Sequence, residues 1–219
     1  MNTKPDAINI LCYGDSNTWG QKPDKTSRYP TAVRWTGVLQ QTLGSKYYII
    51  EEGLSSRTTN LDYSKKLGRN GKSYLIPCLE SHNPINLVVL MLGTNDLKIE
   101  FDRSASEIAT AIGELVDDII SNAWNRQKIA PQIIILSPIL VDSKAQDFKA
   151  FYSKNYDEGS VMKSRELSSA LSTLANDKEC HFLDSASVAH AGTDGIHFDE
   201  VSHPQLGRLL ADYIKQMKL

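Results

Sequence analysis

Ile8-Asn9-Ile10-Leu11-Cys12-Tyr13-Gly14-Asp15-Ser16-Asn17-Thr18 is an apolar run that stops at a glycine and passes at once into carboxylate, hydroxyl and amide side chains. Residues 8–13 therefore predict a buried strand whose end delivers a serine hydroxyl. Comparable short runs recur at 47–50, at 87–92 (Leu-Val-Val-Leu-Met-Leu), at 133–136 after Pro131, and briefly at 181–183. Near-continuous apolar runs of this kind fit strands covered on both faces, as in parallel sheets. Between them lie helical patterns. Residues 33–43 place Trp35, Val38, Leu39, Thr42 and Leu43 on one face, with Gly44 as the stop. Residues 73–81 predict a short helix disturbed by Pro77. Residues 104–127 carry an apolar stripe from Ala105 and Ile108 to Ile119 and Ile120, opened by the capping-box pattern Ser104-Ala105-Ser106-Glu107. Residues 160–175 and 205–217 complete the set. Strand and helix alternate about five times, which implies an α/β sandwich around a parallel sheet of about five strands.

The chain of 219 residues shows no internal repeat, low-complexity tract or linker, so residues 1–219 are expected to form one domain. Its least regular stretch is 141–159, where Phe148, Phe151, Tyr152 and Tyr156 sit among charges. A long aromatic-bearing connection of this kind is expected to cover a site or to meet another subunit. With 24 basic against 26 acidic residues, the net charge of −2 offers no field to steer nucleic acid or an anionic membrane towards the protein. The N-terminal apolar stretch is too short for a signal-peptide core, and a cytoplasmic location is expected. Cys12, Cys78 and Cys180 are odd in number and widely spaced, so neither a disulfide framework nor a zinc site is indicated. Cys12 is expected to be a small buried apolar residue.

In open α/β sheets ligands bind at the carboxyl ends of the strands. The notable polar segments fall there: Gly14-Asp15-Ser16-Asn17, the stretch from Glu51 and Gly53 to Arg57 and Thr59, Gly93-Thr94-Asn95-Asp96, and Asp194-Gly195-Ile196-His197 before the last helix. A serine is a poor nucleophile alone; it needs a base to take its proton, and the base needs a carboxylate to orient it. Each segment by itself is ordinary turn composition. Their ordered occurrence at strand ends is the specific signal.

That order resembles the SGNH (GDSL) hydrolase superfamily, and the stretches 33–39, 51–60 and 91–96 are similar to its arylesterase/acyltransferase branch. The resemblance implies a three-layer, flavodoxin-like α/β/α fold and hydrolysis of small acyl esters through a serine, with acyl transfer to alcohols as a companion activity. A carbohydrate O-deacetylase or a thioesterase would use the same residues. Carried over by position, Ser16 is the nucleophile, His197 the general base and Asp194 its orienting carboxylate. The Ser16 and Gly53 N–H groups with the Asn95 amide form the oxyanion hole. Asn17, Trp19, Thr94 and Ile196 are candidates for contact with substrate. Asn17 stands where the motif usually has leucine and is expected to tune packing or the acyl pocket. Asp15 is expected to organise the turn through backbone hydrogen bonds. A non-catalytic, flavodoxin-like binding module is the reading from another class, although no Gly-x-Gly-x-x-Gly or P-loop pattern is present.

The remaining polar residues divide less sharply. Trp19 fits a pocket wall or plain core packing equally well. Arg57 suits either a substrate carboxylate or an ion pair with Glu51, Glu52 or Asp62. His203, before Pro204, reads as a surface or capping residue, and His82, His181 and His190 have no partner pattern. No ligand set for a metal or cofactor emerges around His197, Asp199 and His203. The expected partners are a small ester substrate and further copies of the chain.

Overall fold

The computed structural model describes residue 4, residues 6–122 and residues 129–219. Five strands form one sheet: β1 (Ile8–Gly14), β2 (Tyr47–Gly53), β3 (Leu87–Met91), β4 (Gln132–Ser137) and β5 (His181–Asp184). Their order is β2-β1-β3-β4-β5 and every pairing is parallel. This is the doubly wound, flavodoxin-like order, with its switch between β1 and β3. The register sets Gly14 opposite both Gly53 and Met91, so three strands end level at that switch.

Seven α-helical segments occur among the described residues: α1 (Ser16–Trp19), α2 (Trp35–Leu43), α3 (Gly71–His82), α4 (Ala105–Asn122), α5 (Phe148–Phe151), α6 (Glu158–Asp177) and α7 (Ser202–Ile214). Side-chain alternation along β1 decides the layers. Leu11 and Tyr13 pack with α3, α4 and α6 through Leu75, Leu79, Ile112, Leu115, Leu167 and Leu171. Ile10 and Cys12 point the other way and pack with α2 and α7 through Trp35, Leu39, Leu206, Leu210 and Ile214. Helices therefore cover both faces, which is why the strands read as apolar runs. Cys12 is fully buried in the second of these cores, as expected.

The departures from the sequence reading are local. α3 starts ahead of the predicted 73, where the Asn70 side chain accepts from the Ser73 N–H at 3.3 Å, and it runs through Pro77 without ending. α4 opens with the expected capping box: Glu107 accepts from the Ser104 N–H at 2.8 Å and its own N–H donates to Ser104 Oγ at 3.2 Å. The end of the predicted 104–127 helix, from 123 on, lies outside the described residues. α1 and α5 have four residues each, too few to show a period in sequence. α7 begins before the predicted 205 because Asp199 accepts the Ser202 N–H at 2.7 Å.

His203 corrects an expectation. It is wholly buried, between the rings of Tyr29 and Phe198. Its Nδ1 accepts the first N–H of α2, from Trp35, at 3.3 Å, so it caps a helix 168 residues away rather than its own. With Nδ1 accepting, the ring proton sits on Nε2, which meets no acceptor among the described residues. Burial pushes this imidazole down from the ordinary histidine range to about 3. Below pH about 6.5 the unfolded chain takes a proton at this position that the folded chain refuses, so stability falls as pH falls. Relative to neutral pH the loss reaches about 2 kcal/mol by pH ~5. His203→Gln, which keeps an acceptor for Trp35, is expected to remove that slope. Urea titrations of the two proteins between neutral pH and pH ~5 read the difference; parallel curves would refute it.

Candidate active site

The site lies at the switch between β1 and β3. Gly14 ends β1, Asp15 turns the chain and α1 begins at Ser16. Asp15 Oδ1 accepts the Asn17 N–H at 2.9 Å, which fixes the turn as its sequence position implied. Gly53 ends β2 immediately behind α1. A Cβ there would strike the backbone of Thr18 and Trp19, so only glycine lets the helix pack this close to the strand.

The far end of the chain arrives on the loop after β5. Asp194, with no exposed surface, accepts the N–H groups of Ile196 and His197 on Oδ1, each at 2.9 Å. Its Oδ2 accepts from His197 Nδ1 at 2.6 Å. That bond assigns the proton to Nδ1 and leaves Nε2 as an acceptor. Ser16 Oγ stands 2.9 Å from His197 Nε2 and donates to it. Gly195 permits this loop through its positive φ of 76°, and a side chain there would meet the Asp142 carbonyl oxygen. The same loop is held by the segment after β4: Asp142 N–H donates to Gly195 O at 2.9 Å and Asp147 N–H to Thr193 O at 2.7 Å.

Asn17 joins the two ends. Its Nδ2 donates to Ile196 O at 3.1 Å, and its Oδ1 accepts the Phe198 N–H at 3.0 Å. The amide thus clips the backbone on either side of His197 to the turn that carries Ser16, and it is spent there rather than on the pocket. Leucine could supply neither bond and would leave a buried N–H without an acceptor. Asn17→Leu is expected to cost about 2 kcal/mol of stability and to lower kcat about tenfold through a displaced imidazole. Denaturant titration and steady-state kinetics check this; a variant as active and stable as the parent would show that the clip does not position His197.

Asn95, after β3, is buried and faces the same cavity. Its Nδ2 donates to Arg57 O at 3.1 Å and lies 3.4 Å from Asp15 Oδ2. The second bond is long and weak, so one amide hydrogen is available to a better acceptor. Burial raises the Asp15 carboxyl above its usual range and pushes the neighbouring Asp96 up to about 6. Asp96 is held by the Thr59 hydroxyl at 2.5 Å.

A cavity of about 60 Å³ is lined by Ser16, Gln21, Ser56, Thr94, Asn95, Lys98, Tyr152, Tyr156, Ile196 and His197. Thr94 and Ile196, read as candidates for contact with substrate, are on this lining. Asn17, Gly53 and Trp19 are off the lining. Trp19 is half-buried beneath the Arg28 guanidinium, 5.4 Å from its ring centroid, and is neither pocket wall nor core. Arg57 is also off the lining and, among the described residues, makes none of the expected ion pairs. It donates to Gly14 O at 2.9 Å and to Glu52 O, and it lies 4.1 Å over the Tyr13 ring, bracing the strand ends. Segment 141–159 supplies Tyr152 and Tyr156, so it walls the site. Gln21, Ser56 and Lys98 were not foreseen; no local pattern marks them.

His82, read as unpartnered, bonds Glu52 at 2.9 Å, and the ligand atoms of Glu52, Cys78 and His82 lie within 4.8 Å of one another. Burial pushes the Cys78 thiol up to about 12. No helix among the described residues is long and apolar enough to cross a membrane.

A doubly wound parallel sheet with serine, imidazole and carboxylate aligned at its switch point defines a serine hydrolase of the three-layer α/β class. The chain belongs to the GDSL-like lipase/acylhydrolase family, whose model matches residues 12–204. It is accordingly a carboxylic ester hydrolase, and the reading as a non-catalytic binding module falls. Among solved structures it is similar to the inhibitor-bound aryl esterase of M. smegmatis, at 39% identity and a TM-score of 0.90 over 97% of this chain and 100% of the other. It is similar also to a carbohydrate acetylesterase from Sinorhizobium meliloti, at 37% identity and a TM-score of 0.86 over 95% of this chain and 98% of the other. No curated protein matches it.

Proposed function

We propose that the protein cleaves small acyl esters, of the acetyl or aryl type, by a two-step route in which Ser16 carries the acyl group. The observation that carries this reading is the unbroken line from Ser16 Oγ through His197 to the buried Asp194. As Oγ bonds to the ester carbonyl carbon, its proton passes to Nε2. The carbonyl oxygen becomes an oxyanion, held by the Asn95 amide and the Ser16 N–H; Gly53, expected as a third donor, lies off the lining and packs against α1 instead. Asp194 stabilises the imidazolium without taking its proton. When the carbon–oxygen bond to the alcohol breaks, Nε2 returns the proton to the leaving oxygen, and Ser16 keeps the acyl group. Water then repeats the sequence and releases the acid. An alcohol entering in place of water would give acyl transfer.

The cavity volume supports an acetyl-sized acyl group, and its polar lining suits a hydrated alcohol better than a long lipid. The name of the carbohydrate acetylesterase agrees with both halves of that description, and that of the aryl esterase with the aryl type of ester. We place the activity in the cytoplasm, a reading supported by three cysteines that form no disulfide. A fluorophosphonate probe mapped by mass spectrometry tests the mechanism. Modification is expected at Ser16 and is expected to vanish in His197→Ala; labelling at another serine, or undiminished labelling in that variant, would sink the proposal.

A further inference from the structure

Three lysines surround the cavity. Lys98 lines it directly, beside Ser16 and His197. Lys66 donates to the hydroxyl of Ser56, a lining residue, at 2.6 Å. Lys25 lies 3.9 Å over the ring of Tyr152, another lining residue. Lys72, Lys163, Lys178 and Lys215 meet a carboxylate within 4.0 Å; the three around the cavity, like several lysines on the open surface, meet none among the described residues, and what distinguishes them is their place beside the cavity.

Lys98 is the most constrained. Its ammonium is half-buried and donates to Tyr63 Oη at 2.7 Å, with the Tyr63 ring 4.8 Å away. Its backbone sits on a turn clamped from both sides, by Ser160 Oγ donating to Leu97 O at 2.7 Å and by Ile99 N–H donating to Asn155 O at 2.9 Å. The side chain is therefore placed, not trailing in solvent. Asp15, Asp96 and Glu100 act on it only through space, and Lys66 opposes its charge. A partly desolvated cation without a carboxylate partner is costly to keep. Burial lowers the proton affinity of all three ammoniums, bringing Lys98 to about 8, and an arriving anion would reverse that effect.

We infer that the pocket takes an ester that also bears a carboxylate, bound by Lys98, while Lys66 and Lys25 add positive potential at the mouth. The inference rests on the esterase reading of Ser16 and narrows its substrate class. The anion can sit on the alcohol side or on the acyl side, and matched pairs of esters separate the two. 4-Acetoxybenzoate against 4-acetoxybenzamide tests the alcohol side; mono-4-nitrophenyl glutarate against 4-nitrophenyl valerate tests the acyl side. With the full chain at low salt, kcat/KM is expected to favour the anionic member of one pair about tenfold or more. The preference is expected to shrink towards unity in ~0.5 M salt, to collapse in Lys98→Met and to persist in Lys98→Arg. Should Lys98→Met fail to fold, the salt series and Lys66→Met carry the test.

No preference in either pair, an undiminished preference in Lys98→Met, or a preference indifferent to salt would overturn the inference while leaving the esterase reading intact. If no ester, neutral or anionic, is cleaved in a Ser16-dependent way, the esterase reading and the inference fall together.

Discussion

Ser16→Ala is expected to lower kcat on an aryl acetate by about 10⁴-fold or more, and His197→Ala by a similar factor. The double variant is expected to be scarcely worse than either alone. The hydroxyl and the imidazole are joined at 2.9 Å and act as one device. Without the base, the serine keeps its proton; without the serine, the base has nothing to activate. Residual turnover above the uncatalysed rate would come from binding and from the oxyanion donors. Both substitutions should leave the fold intact. Ser16→Ala removes one hydroxyl from the start of a helix. His197→Ala leaves Asp194 Oδ1 still bonded to two backbone N–H groups. Steady-state kinetics of the three variants, with circular dichroism to confirm folding, decide the matter. Losses that multiply in the double variant would mean independent roles and would break the proposed relay.

How much of this was legible in the sequence depends on how far each signal reaches along the chain. Strand β1 was legible because the unbroken apolar run Ile10-Leu11-Cys12-Tyr13 is written within a few residues, and the break at Gly14 is equally local. The Asp194–His197 pair was legible because both side chains leave one tight turn. Asn17 departs from the leucine usual in the motif, but its purpose depends on two backbone groups about 180 residues away, so only assembled geometry shows it as a clip. His203 misled for the same reason. A histidine before a proline at a helix start looks exposed, and nothing near it reveals that Trp35 supplies its hydrogen bond. Arg57 was expected to seek a carboxylate, yet the nearest needs were the carbonyl oxygens of Gly14 and Glu52 at the strand ends. Lys98 carries no motif-level mark at all. Its interest comes from the company it lacks, and the missing partner is a property of three-dimensional packing.

Asn95→Ala is expected to lower kcat by about 10²- to 10³-fold with little change in KM, because its amide strengthens its bond only as the oxyanion forms. Part of any loss could instead come from structure, and the geometry allows the two to be separated. The amide donates to Arg57 O at 3.1 Å, so its removal leaves one buried carbonyl without that partner, a cost of about 1 kcal/mol that a denaturation midpoint will register. A cost of that size cannot depopulate a folded domain enough to imitate a hundredfold loss of turnover. Asn95→Asp sharpens the contrast. A carboxylate there has no hydrogen to donate, and it would stand against Asp15, whose Oδ2 is 3.4 Å from the present amide nitrogen. It is expected to match or exceed the alanine variant in lost kcat and to exceed it in lost stability at neutral pH, with part of that stability regained on acidification as the paired carboxyls share a proton. If Asn95→Ala instead turns over at the parent rate, the oxyanion must rest on backbone N–H groups alone. The Asn95 amide would then be a brace for the Arg57 carbonyl.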